Sequence, residues 1–272
     1  MKNTEELLQF MESINSQIED LIARSNKREM FDEISALDDV TNKHLNSVRD
    51  ITIKICNRMG MTEEEIRFYA TCAFLHDIGK ILVPPYILQK PTSLTPEEFE
   101  IMKNHTINGF EICRLNDVLR PYANAALYHH ENEDGSGYPY GIRGSKIPME
   151  ARIIKVADIY DAICSRRQYK KEVRRIDALK IVYEEVNKGK VNRKIFDYLL
   201  DVIISELQEE EGDNTSEILE LRAMKNRSSY IRIRDCLSKL IVRTPILGKR
   251  QDERLDERLD ERQDERLDEK II

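Results

Sequence analysis

Apolar side chains recur along this chain at intervals of three and four residues, the repeat of one face of an α-helix. Leu37, Val40, His44, Val48, Ile51, Ile55 and Met59 lie on one such stripe, and Gly60 stands where the helix would stop. Leu7, Met11, Ile14, Ile18 and Leu21 lie on another, with the seam spacing of an amphipathic or coiled-coil helix. Thr62 with Glu65, and Thr95-Pro96-Glu97-Glu98, carry the capping pattern of two further helix starts. Helical stretches resume over 150–165, 176–187 and 196–207, and no run of alternating residues marks a strand. The spacing predicts an all-α chain. From Asp134 to Pro148 four glycines and two prolines break the pattern, so that stretch is read as a long ordered loop.

Composition narrows the setting. Of 272 residues 40% are hydrophobic, enough for a core, while 34% are charged, more than the usual quarter. Part of that excess lies in the tetrapeptide repeat QDER-LDER-LDER-QDER-LDEK, Gln251 to Lys270. It sets like charges at i and i+4, which disfavours a helix, so a solvated tail is expected. No stretch nears eighteen consecutive apolar residues, and the acidic N-terminus has no apolar signal core. The five cysteines are widely spaced, odd in number and without C-x-x-C. These features predict a cytoplasmic protein with reduced thiols and no membrane association. A net charge of −7 argues against a nucleic-acid polymer as partner.

The chain has only five histidines, and their placement carries the chemistry. His44 interrupts the apolar stripe, His76 is followed at once by Asp77, His105 opens a helical segment, and His129 and His130 are adjacent. Asp158 and Asp161 sit at i and i+3 among Ile154, Val156, Ala157 and Ile159. Carboxylates facing a core are costly unless they bind a metal or are otherwise paired. Imidazole with carboxylate donors suits iron, manganese or zinc, and paired metals are a common device for phosphodiester hydrolysis.

The runs HDIGK (His76 to Lys80), ILQKP (Ile87 to Pro91), LTPEE (Leu94 to Glu98), His105, HHENEDGSGYP (His129 to Pro139), GIRG (Gly141 to Gly144), ARIIKVAD (Ala151 to Asp158) and Tyr160-Asp161-Ala162 occur in one order. Together they resemble the HD-GYP family, over Asp38 to Leu207. The resemblance implies an HD-type helical bundle that uses two divalent metal ions, iron or manganese. It would hydrolyse cyclic di-GMP to a linear dinucleotide and onward to GMP. His44, His76, Asp77 and Asp158 would ligate one ion, and Asp77 would bridge to a second held by His105, His129 and His130. Asp77 and Lys80 would be catalytic. Lys80, Asp161, Arg167, Lys170 and the naming motif Gly137-Tyr138-Pro139 would contact the dinucleotide. Rival readings are an HD phosphohydrolase acting on another cyclic dinucleotide or nucleotide, and a module that binds cyclic di-GMP or a partner without turnover.

Some relatives carry a glutamate where Val40 stands, and the usual Phe-Asp-Pro after the late glycine is replaced here by Val191-Asn192-Arg193. The expected organisation is an N-terminal amphipathic helical extension over 1–36, whose seam would hold a homodimer, and a catalytic domain over 37–207. An acidic linker over 208–214, a short helical extension over 215–248 and a charged tail over 249–272 would follow.

Overall fold

A computed structural model describes residues 39–165, 174–212 and 215–226. The N-terminal seam, the segment carrying Arg167 and Lys170, and the repeat tail lie outside the described residues. Among the described residues the fold is helical throughout, with no strand.

The stripe around His44 forms α1 (Asp39–Arg58), and Gly60 turns the chain with φ +75°. The next helix, α2 (Glu63–Leu75), opens on Thr62. There the Thr62 hydroxyl accepts from the Glu65 amide while the Glu65 carboxylate accepts from the Thr62 amide. This satisfies amides that would otherwise lack partners. A 3₁₀ turn (Ile78–Leu82) and the short α3 (Pro85–Leu88) lead to α4 (Pro96–Lys103), capped in the same reciprocal way by Thr95 and Glu98. Then follow α5 (His105–Leu115), α6 (Ala123–Tyr128), α7 (Met149–Ser165), α8 (Arg175–Asn187) and α9 (Arg193–Glu211).

The segment expected as a linker from residue 208 is helical as far as Glu211, and the chain leaves α9 only at Gly212, φ +86°. The glutamates at 209–211 extend the helix because nothing in their chemistry stops it before the glycine. Residues 216–226 are helical, and Leu221 closes the first of two compact units. Helices α1 to α9 and all five histidines lie in that first unit.

In it α1 packs on α2, α7 and α9, while α5 lies against α6 and the 3₁₀ turn after α2. One apolar cluster joins Leu45, Phe74, Leu75, Ile78, Ile112 and Ala126. Burying these side chains favours the packing of α1, α2, α5 and α6 around the 3₁₀ turn. Gly79 permits the close approach of the 3₁₀ turn to α5, since a Cβ there would overlap the carbonyl oxygen of His105. Cys56, Cys72 and Cys113 are buried free thiols within this packing.

Candidate metal centre

The helices deliver their ends to one point. His76 is the C-cap of α2, Asp77 the N-cap of the 3₁₀ turn, His105 the first residue of α5, and His129 the C-cap of α6. His44 comes from within α1 and Asp158 from within α7.

The last carbonyls of a helix have no intrahelical donor, and three of them fix the imidazoles. The Nδ1 atoms of His76, His105 and His129 lie 2.6 Å from Ala73 O, 2.7 Å from Met102 O and 2.9 Å from Ala126 O. A carbonyl only accepts, so Nδ1 carries the proton in each ring and Nε2 is left as a bare lone pair. Burial holds His129 and His130 well below the ordinary histidine pKa and lowers that of His105, so these rings are neutral.

Those lone pairs converge on Asp77. His105 Nε2 is 3.3 Å and His129 Nε2 3.7 Å from Asp77 Oδ1, while His76 Nε2 is 3.3 Å and His44 Nε2 4.0 Å from Asp77 Oδ2. His105 and His129 also face each other Nε2 to Nε2 at 3.3 Å. Among the described residues neither His76 Nε2 nor Asp77 Oδ1 has a hydrogen-bond partner. Buried lone pairs aimed at one another repel unless a cation sits among them, so this donor set fits divalent metal. Two groups can each hold an ion: Asp77 with His105, His129 and His130, and His44 with His76 and Asp77. Asp158 borders the second group, its Oδ1 3.2 Å from His44 Nε2.

Charge differs across the centre. Burial opposes ionisation of Asp77, but Lys80 and His76 hold its carboxyl well below the usual range. The Lys80 ammonium lies 2.5 Å from Asp77 Oδ2, reached from the 3₁₀ turn rather than from a continued α2. Burial alone would lower the pKa of His44, yet its hydrogen bonds to Asp158 and Asp161 outweigh that and raise it to about 10. Those carboxylates, with Asp77, call for positive charge at this spot, which a proton or a divalent ion supplies.

Asp161, expected at the dinucleotide, turns to His44 in the structure. It is buried, with Oδ2 2.6 Å from His44 Nδ1, and it accepts further bonds from Ser47 and Ser165. Its oxygens are occupied because α1 and α7 pack face to face here.

The Gly137-Tyr138-Pro139 motif lies directly over the paired histidines. A Cβ on Gly137 would overlap the backbone of His130, Glu131 and Asn132, so only glycine lets the loop fold back this closely. The Tyr138 ring stacks on His130 at 4.6 Å and 21°. Two supports of this loop were not singled out from the sequence. Buried Glu131 accepts from the Tyr140 amide at 2.7 Å, and Lys155 reaches His130 O at 3.4 Å, with burial lowering its pKa to about 8. Lys155 lies three residues before Asp158 on the same helix, a spacing that puts the two on one face and is the one signal by which the sequence could have found it. Asn192 caps α9 at the Ile195 amide and donates to Glu133 of the loop at 2.9 Å.

A family model for the HD domain matches residues 13–195. The chain belongs to the HD domain family. Its HD domain is of the HD-GYP kind. It is 48% identical over 132 residues to a cyclic di-GMP phosphodiesterase of Thermotoga maritima, a match covering 48% of this chain and 36% of that protein. It is 40% identical over 147 residues to the cyclic di-GMP phosphodiesterase response regulator RpfG of Xanthomonas campestris pv. campestris, covering 53% of this chain and 39% of that protein. The chain thus spans well under half the length of these relatives. The HD domain of the L. monocytogenes phosphodiesterase PgpH, solved with cyclic-di-AMP, shares the fold at TM-score 0.52 and 21% identity, covering 69% of this chain and 99% of that one. No helix among the described residues is long and apolar enough to cross a membrane.

Proposed function

We propose that this HD domain hydrolyses cyclic di-GMP to a linear dinucleotide, and onward to GMP, with two divalent ions, iron or manganese. The observation that carries the reading is the division of one buried carboxylate, Asp77, between two sets of imidazoles. His44, His76, Asp77 and Asp158 would hold one ion; Asp77, His105, His129 and His130 would hold the other. Both sets are imidazole and carboxylate, the donors that suit iron and manganese. When bound, such ions supply Lewis acidity and a nucleophile at neutral pH. Names of the relatives support the choice of dinucleotide.

The chain's own residues do the rest. Lys80 places an ammonium beside Asp77, at the face where a phosphate would lie, and its charge favours the oxygens that become more negative during reaction. Tyr138, stacked over His130, walls the centre and offers a ring face to the dinucleotide beside Gly137 and Pro139. Arg167 and Lys170, outside the described residues, would add charge for the second phosphate. The N-terminal seam would pair two copies, which light scattering of a chain lacking residues 1–36 would test.

Anaerobic purification, metal analysis and a turnover assay on one sample test the function. About two ions per chain and linearised cyclic di-GMP, abolished by chelation, are expected. Fully metallated protein that binds cyclic di-GMP without cleaving it would be a binding module. Faster cleavage of another cyclic dinucleotide would move the substrate but keep the chemistry.

A further inference from the structure

One imidazole of the centre is held differently from its neighbours. His76, His105 and His129 stand at helix ends and turn Nδ1 to carbonyls that the helices leave without donors. His44 lies inside α1, where the carbonyls of the preceding turn already accept helix bonds, so its partner must come from elsewhere. That partner is Asp161, whose Oδ2 lies 2.6 Å from His44 Nδ1 although 117 residues separate them.

Asp161 is built for this contact. It is 4% exposed, and Ser47 Oγ donates to Oδ1 while Ser165 Oγ donates to Oδ2 at 3.1 Å. Ser47 lies three residues beyond His44 on α1 and Ser165 four beyond Asp161 on α7, so the two hydroxyls reach the carboxylate from the helix faces that carry His44 and Asp161. A cavity of about 350 Å³ touches Asp161, Ser47 and Ser165, and its lining includes none of the candidate metal ligands. Asp161 thus borders that cavity on one side and His44 on the other.

We propose that Asp161 is a positioning residue for His44: by accepting Nδ1–H it fixes the ring so that Nε2 is presented to the cation, and Ser47 and Ser165 hold the carboxylate in register. A carboxylate behind a ligand imidazole also makes the ligating nitrogen a stronger donor. Asp161 then acts on the ion beside His44 and not on the dinucleotide. The inference rests on the metal-centre reading above.

Manganese binding by equilibrium dialysis, with steady-state kinetics at saturating manganese, tests it on the full chain. Wild-type protein should bind two ions. Asp161→Ala should weaken one of them about 10- to 100-fold and leave the other at wild-type affinity. Asp161→Asn keeps an acceptor without the charge, so it should recover part of that loss and fold even if the alanine variant does not. Once manganese saturates, KM for cyclic di-GMP should match wild type in the asparagine variant. The proposal is overturned if the asparagine variant binds both ions as wild type does while KM rises, which makes Asp161 a substrate contact. It is also overturned if both ions weaken equally with a lowered melting temperature of metal-free protein, which makes the role structural. A wild-type chain that binds no manganese, iron or zinc would instead sink the metal-centre reading itself.

Discussion

The two halves of the candidate metal centre differ at one imidazole: His76, His105 and His129 are pinned through Nδ1 to backbone, whereas His44 is pinned to a side chain. Around His105, His129 and His130 the rings are neutral, and His105 and His129 are buried and pinned through Nδ1 to backbone. Backbone carbonyls at helix ends are in place as soon as the helices form, so that half needs little beyond correct packing of α5 against α6. Around His44 the ring is held by side chains from α7 and carries a proton up to about pH 10 without metal. The first half presents neutral rings to an ion; the second would exchange a proton for its ion. Asp77 belongs to both, and Lys80 offsets its charge.

The largest expected effect removes the distinction altogether. Asp77→Ala should lose both ions together, and activity should fall to the background of metal-free protein, because the shared carboxylate is the only ligand common to the two groups. Metal analysis checks it: retention of one full ion would show that the halves are independent.

Lys80→Ala should leave both ions bound and the fold intact, yet lower kcat/KM about ten- to a thousandfold through loss of one charge-assisted contact. Should it lose metal as Asp77→Ala does, Lys80 belongs to the metal centre and not to the substrate. Full activity would leave it only a partner of Asp77.

The smallest effect is the pH dependence of binding. Near neutral pH and up to about 10, His44 is protonated in metal-free protein, so metal competes with a proton there, and affinity should rise about tenfold per pH unit. Burial puts His129 and His130 well below the ordinary histidine value, so above about pH 7 they bear no competing proton and affinity at their half should stay flat. Calorimetric titration at two pH values above neutrality should resolve one pH-dependent ion and one independent ion. Equal slopes would erase the contrast between the halves.

Much of this was legible in the residues. The stripe through His44 and the Thr62–Glu65 and Thr95–Glu98 pairs announced α1, α2 and α4, because helix periodicity and capping act over three or four residues. The acidic stretch expected as a linker over 208–214 continues α9 as far as Glu211, since glutamate is compatible with helix, and Gly212 ends it. The Val191-Asn192-Arg193 departure is an ordinary helix start in the structure, since Asn192 caps α9 and also ties Glu133.

The sequence by itself determined the all-α fold and the helix starts, which follow from short-range spacing, and through its resemblance to the HD-GYP family it supplied the candidate donors His44, His76, Asp77, His105, His129, His130 and Asp158. Only the tertiary structure decided which atom of each donor faces the centre, that Asp77 serves two groups, and that Asp161 turns to His44. Those outcomes depend on how helices far apart in sequence meet. His44 and Asp161 are 117 residues apart, and the orientation of a ring is set by whichever acceptor packing brings beside it.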